Sequence, residues 1–245
     1  MTNISVNLNR VALLRNSRNI DIPCVTTRAR IVLEAGAYGI TVHPRPDQRH
    51  IRPDDVDDLA RLLADEFSGA EYNIEGNPFQ PPFMEIVCRV KPTQCTLVPD
   101  SPDAFTSDRG WNVALEGERL IPIIQQLKAH QIRISLFMDA APHQMELAKK
   151  IGADRVELYT EPYATAFREG RVETVFPNYA QAALAAQAEG LGVNAGHDLN
   201  LENISKFCLI PNILEVSIGH ALIAEALEMG LSNTVKAYLE ILSQT

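Results

Sequence analysis

The sequence has no unbroken apolar run near the ~20 residues that a membrane-crossing helix needs, so no membrane partner is expected. Its cysteines, Cys24, Cys88, Cys95 and Cys208, form no C-x-x-C pair and share no zinc-like spacing. They read as reduced thiols used as small apolar residues, which makes the cytoplasm the expected compartment. The N-x-S matches at Asn3 and Asn203 then carry no glycan. The opening stretch, MTNISVNLNR, has no basic-then-apolar leader. Cations are in deficit: 22 Lys+Arg stand against 31 Asp+Glu, a formal net charge of -9. Sequence-independent nucleic-acid affinity rests on clustered cations, so no nucleic-acid partner is expected. Gly and Pro number 13 and 15, too few for a disordered or collagen-like chain.

Several catalytic signatures are missing as well. No G-x-G-x-x-G, P-loop or G-x-S-x-G elbow is present, which argues against dinucleotide, nucleotide and serine-hydrolase chemistry. No H-x-H or H-E-x-x-H occurs, so neither a resident metal nor any other cofactor is expected. Lys91, Lys128, Lys149, Lys150, Lys206 and Lys236 all fall away from the C-terminal ends of the predicted strands. That argues against a Schiff base on an enzyme lysine.

What is present is a regular alternation. Short β-rich runs occur at Ile4–Asn9, Gly39–His43, Glu71–Glu75, Cys95–Pro99, Arg133–Asp139, Arg155–Thr160, Gly192–His197 and Leu214–His220. Most are rich in Val, Ile, Leu and Thr, as strands buried on both faces should be. Between them lie stretches of helical period, including Pro53–Phe67, Leu115–His130, Ala141–Ile151, Thr174–Glu189 and Ala221–Leu242. Gly36, Gly152 and Gly190 each close such a stretch, as left-handed helix caps do. One β segment about every 31 residues is the size of a βα unit. An α/β fold, a (β/α)8 TIM barrel with extra helices, follows as a single catalytic domain over residues 1–245.

A barrel carries its chemistry where strands end, and polar residues collect there: Asn7, Asn9, His43, Arg45, Glu75, Asp139, Glu157, Thr160, Asn194, His197, Ser217 and His220. Two segments suit phosphate. His43-Pro44-Arg45-Pro46-Asp47-Gln48-Arg49-His50 offers arginine forks on a stiff loop, and Ser217-Ile218-Gly219-His220 turns small residues into a helix N-terminus. Arg10, Arg15 and Arg18 form another basic cluster. Glu75 and Glu157 sit in apolar strands, so each is either paired with a cation or held at a raised pKa, as a general base needs. Acid–base chemistry on a small phosphorylated carbonyl compound is what survives.

Taken in order, Val6-Asn7-Leu8-Asn9, Leu14-Arg15-Asn16-Ser17-Arg18, Gly39-Ile40-Thr41-Val42-His43 with Arg45 and Arg49-His50-Ile51, Ser135-Leu136-Phe137-Met138-Asp139, Val193-Asn194-Ala195-Gly196-His197 and Ile218-Gly219-His220-Ala221 resemble the pyridoxine 5′-phosphate synthases. The likeness runs essentially end to end. It implies condensation of 3-amino-2-oxopropyl phosphate with 1-deoxy-D-xylulose 5-phosphate, in a homo-octamer of paired subunits without metal or organic cofactor. The substrate's own amine makes the imine, in keeping with the missing lysine. Glu75 and His43 correspond to the family's general bases, His197 to its proton donor, and Glu157 to a carboxylate that stabilises developing charge. Asn7, Arg18, Gly219 and His220 correspond to the grip on the aminoketone phosphate; Arg45, His50 and Thr106 correspond to the grip on the sugar phosphate. Asn9 and Arg10 fall where the sugar is contacted, in place of the Asp-His of some members. Asp198 borders the aminoketone pocket where some members carry glycine. Two rival readings remain: a metal-assisted phosphosugar epimerase or isomerase liganded by His43, Glu75 and His197, and a catalytically silent binder of phosphorylated metabolites.

Overall fold

The computed structural model describes residues 2–18, 20–101 and 103–244. Among the described residues, eight parallel strands close into a barrel in chain order. They are β1 (Asn3–Asn7), β2 (Gly39–Val42), β3 (Glu71–Gly76), β4 (Gln94–Leu97), β5 (Arg133–Met138), β6 (Arg155–Tyr159), β7 (Gly192–Gly196) and β8 (Ile213–Ile218). Closure comes from β1 on β8, with Ile4 opposite Val216 and Val6 opposite Ile218. Every strand falls on a run expected from the sequence, and the α/β barrel is borne out. Gly36, Gly152 and Gly190 take φ of 108°, 103° and 71°, as the cap reading requires.

Two helical stretches differ from expectation. Ala221–Leu242 is two helices, His220–Met229 and Leu231–Ser243, because Gly230 sits between them at φ 80°. Ala141–Ile151 is a 3-10 turn at Pro142–Gln144 followed by a helix at Met145–Lys150. The thiol reading also needs a correction. All four cysteines are free, but Cys24 is exposed, and only Cys95 and Cys208 are buried.

The barrel lumen departs further from the sequence reading. Ile4, Val6, Ile40, Val42, Ile74, Leu136, Val156 and Val216 belong to the apolar core that packs under the helices. The alternate positions are polar and fully buried: Ser5, Thr41, Asn73, Thr96, Ser135 and Asn194. Four of them are joined side chain to side chain, with Ser5 on Thr41 at 2.8 Å, Asn73 donating to Thr41 at 3.2 Å and Thr96 donating to Asn73 at 3.0 Å. Such barrels are ordinarily filled by bulky branched side chains. Here hydrogen bonds replace that filling, because a buried polar group left unpaired costs about 1–3 kcal/mol. Below this belt Arg133 pairs with Glu71, while Arg155 and Asn194 approach Glu215. The strands therefore have one apolar face rather than two.

Candidate active site at the barrel mouth

Above the polar belt the strand ends open into a cavity of about 400 Å³. β1 supplies Asn7 and the helix that follows it, Asn9–Asn16, supplies Asn9 and Arg10; the loop after β2 supplies His43, Arg45 and His50; β3 supplies Glu75. From the other side come Thr106, Glu157, His197 and Asp198, with Gly219 and His220 closing the ring beside Asn7. Arg18 is the exception. It is exposed and does not line the cavity of its own chain.

Glu75 lies at the centre. Its Oε1 accepts from Asn7 Nδ2 at 3.0 Å and Asn9 Nδ2 at 3.4 Å, and lies 3.7 Å from His43 Nδ1. Asn9 also accepts the His43 backbone N–H at 2.9 Å, so the start of helix Asn9–Asn16 sets the height of both groups. Burial pushes Glu75 up to about 7, and the charge on Asp100 adds to that, against the amides of Asn7 and Asn9 and the Arg45 guanidinium. Glu157 is pushed up to about 8, first by burial and then by Glu75. The strand carboxylates are thus held as weak acids near neutrality, the second of the two possibilities left open by the sequence.

His43, His50 and His197 are all held below the ordinary value of an imidazole. Burial, then the Arg45 charge, holds His43 well below its ordinary value. Burial, then Arg45 and Arg49, takes His50 down to about 4. His197 is lowered chiefly by burial. Its backbone has φ 90°, a conformation held by the β7 turn, and its ring packs edge-on against Tyr159 at 5.3 Å. Its Nε2 lies 3.3 Å from the Thr106 hydroxyl. A neutral His197 accepts a proton before it can give one, and dianionic ligands in the mouth would raise its affinity for that proton.

Two glycines are needed for close approach. A Cβ on Gly196 would stand 2.3 Å from Glu157 Oε1. Gly196→Ala therefore displaces that carboxylate and is expected to lower turnover about 10²-fold, the cost of a ~1 Å misplacement. Steady-state turnover checks this, together with a melting curve to confirm folding. A Cβ on Gly219 would meet Asn7 Cβ at 3.1 Å. Its role at the start of helix His220–Met229 is hence closeness to Asn7 rather than left-handed backbone.

Sequence reasoning missed Asp100, Ser107, Phe137, Tyr159 and Glu161. Phe137, Tyr159 and Glu161 line the cavity, as does Ser107. Apolar strand ends such as Phe137 look like any core residue, and Asp100 lies beyond β4 in a stretch without periodicity. Within that stretch, Asp100–Trp111, Pro102 lies outside the described residues. Among the described residues, no group of three or more His, Cys, Asp and Glu side chains is arranged to hold a metal ion. The convergence of His43, Glu75 and His197 foreseen by the epimerase reading is not that of a ligand set.

Fold and mouth together define a class: a (β/α)8-barrel enzyme with weakly acidic carboxyls, neutral imidazoles and guanidinium groups around one cavity. The family described as pyridoxal phosphate biosynthesis protein PdxJ matches residues 4–244, and the chain belongs to it. A pyridoxine 5′-phosphate synthase from Albidiferax ferrireducens is 54% identical, over 99% of this chain and 98% of its own length. One from Xanthomonas campestris pv. campestris is 50% identical, over 99% and 96%. Among solved structures, a phosphoribosylanthranilate isomerase from Thermotoga maritima shares the fold, with a TM-score of 0.60 over 100% of both chains at 13% identity. The chain is an enzyme of vitamin B6 biosynthesis.

Proposed function

We propose that this mouth joins 3-amino-2-oxopropyl phosphate to 1-deoxy-D-xylulose 5-phosphate and releases pyridoxine 5′-phosphate, inorganic phosphate and water. The observation that carries the reading is Glu75 poised near neutrality, 3.7 Å from His43. Around this pair, Asn7, Gly219 and His220 take the aminoketone phosphate with Asp198 bordering its pocket, and Arg45, His50 and Thr106 take the sugar phosphate. Asn9 and Arg10 meet the sugar between them. Holding two reactants in register turns a bimolecular condensation into an effectively unimolecular one. The aminoketone's amine attacks the sugar ketone and water leaves as the imine forms; Glu75 and His43 then remove protons from carbon and nitrogen. Inorganic phosphate leaves the sugar with water taking its place, and a sugar carbon closes the ring onto the aminoketone's carbonyl carbon, so that two waters are lost in all. His197 returns a proton to a departing oxygen, and Glu157 faces the charge that develops between these steps. Arg18 lies outside its own chain's cavity, so its share of the aminoketone grip depends on assembly.

The whole chain works as one catalytic domain. Its functional form is a homo-octamer built as a tetramer of dimers, supported by the exposed apolar side chains of Leu14, Ile20 and Ile22. Among the described residues no helix is long and apolar enough to cross a membrane, and the cytoplasm is where the enzyme acts.

Incubating the chain with both substrates is expected to generate product absorbance, and either substrate alone none. Dialysis against a chelator should leave the rate unchanged. Binding of both phosphates without product would leave only the silent binder, and a lost rate restored by a divalent ion would favour the metal-assisted isomerase.

A further inference from the structure

Asp100 follows β4, and its side chain is buried against the loop after β2. The buried carboxylate pairs with the Arg45 guanidinium through Oδ2 and accepts the Ser107 hydroxyl on that same oxygen at 2.8 Å. Its backbone carbonyl accepts the side-chain amides of Asn77 at 2.8 Å and Gln80 at 2.6 Å. One residue thus joins the loops after β2, β3 and β4. Further along, the Ala104 carbonyl accepts from Arg45 Nη1 at 3.2 Å and Arg49 Nη1 at 3.0 Å. Two residues beyond Ala104 is Thr106, on His197 Nε2.

A buried ion pair is poor evidence for a role in stability, since desolvating two charges offsets most of their attraction. Nor does the pair suit anion affinity, because a carboxylate beside Arg45 repels an incoming phosphate and neutralises the cation meant to hold it. What the arrangement does provide is direction. A guanidinium has five N–H donors in a rigid fork. With one terminal nitrogen on Asp100 and the other on Ala104, the fork is fixed and its remaining N–H groups have a set orientation. The same anchor brings the Thr106 hydroxyl to the imidazole.

We propose that Asp100 is a positioning residue of the condensation, aiming Arg45 at the sugar phosphate and holding Thr106 against His197. This rests on the reading of the mouth given above. Its charge also reaches the reacting groups, adding to the rise of Glu75 and offsetting part of the lowering of His197 by burial. Asp100 contributes to the geometry of turnover rather than to the strength of binding, and its removal has a recognisable kinetic signature.

The test is Asp100→Asn in the full-length protein, beside wild type, with kcat and both KM values measured. The amide keeps the shape and loses the charge-assisted bond. A fall in kcat of roughly tenfold or more is expected, the size of one such bond. The KM for the sugar phosphate is expected to stay level or fall, as repulsion is relieved, and the KM for the aminoketone to stay within about twofold. Asp100→Glu, which restores the charge, is expected to recover part of the lost kcat. A folded Asp100→Asn enzyme with wild-type kcat, or one in which both KM values rise together, overturns the proposal. Should that variant not fold, Ser107→Ala loosens the same oxygen and is expected to lower kcat alone; wild-type kcat there overturns it equally. A wild-type chain that makes no product removes the reading of the mouth and this proposal together. Product from wild type with an indifferent Asp100 removes only the latter.

Discussion

Glu75→Gln is expected to lower kcat by roughly 10²–10⁴-fold, the range that a positioned acid–base group supplies. The amide keeps the contacts to Asn7 and Asn9 but has no basic oxygen, so substrate binding is expected to survive while proton removal fails. The pH dependence gives a second readout. Glu75 must be ionised to act, and burial holds it up to about 7. The kcat/KM of wild type should therefore rise as pH increases through about 7 and flatten above it. The groups facing Glu75 are His43, Arg45, Asp100 and Glu157, with the amides of Asn7 and Asn9. Burial, then the Arg45 charge, holds His43 well below its ordinary value, so its own titration falls on the acid side of this limb. Steady-state rates from pH 5 to 9 check the point, and an acid limb near the ordinary carboxylate range would remove Glu75 as the base.

The sequence disclosed this mouth because barrel topology converts linear position into spatial position. A polar residue at the C-terminal end of any strand reaches the same rim, which is why Asn7, His43, Glu75 and His197, scattered over the chain, meet without any local motif. The same rule explains the failures. Thr160 and Asn194 were strand-end or strand-borne candidates too, yet Thr160 donates to the carbonyls of Gly196 and His197, and Asn194 to Glu215 below the rim. Asp139 accepts a backbone N–H from Gly110. Position along a strand states how high a side chain sits but not whether a neighbour has already claimed its hydrogen bonds. The polar lumen was hidden for a related reason: Ser5, Thr41 and Thr96 are compatible with a β run, and only their pairing around the barrel shows them as a hydrogen-bonded belt.

Arg15 was grouped by sequence with Arg10 and Arg18 as one basic cluster, and the structure separates the three. Arg10 lines the cavity, Arg18 is exposed, and Arg15 is buried against Asp55, with side-chain exposures of 6% and 12%. Arg15 also donates to the His50 carbonyl at 3.2 Å, while its neighbour Asn16 donates to the same carbonyl at 2.7 Å. Asp55 in turn accepts the Arg52 backbone N–H at 2.8 Å, in the first turn of helix Pro53–Glu66. The pair therefore fastens the end of helix Asn9–Asn16, which follows β1, to the loop that bears Arg45 and His50.

Arg15→Ala leaves Asp55 buried without its cation, and breaking such a pair from one side costs about 3–5 kcal/mol. For a chain of this length that corresponds to a fall in Tm of roughly 10 °C. Arg30→Ala is the internal comparison. Its partner Glu66 is 45% exposed and Arg30 itself 38%, so solvent screens that pair and the loss there should be much the smaller of the two. Denaturant unfolding of the two variants measures the contrast directly; equal losses would show that burial does not set the strength of the Arg15 pair. Because the pair holds the sugar-phosphate loop, Arg15→Ala is also expected to raise the KM for 1-deoxy-D-xylulose 5-phosphate at a temperature where the variant is fully folded. Arg30→Ala, on the outer face of the barrel, leaves that KM unchanged.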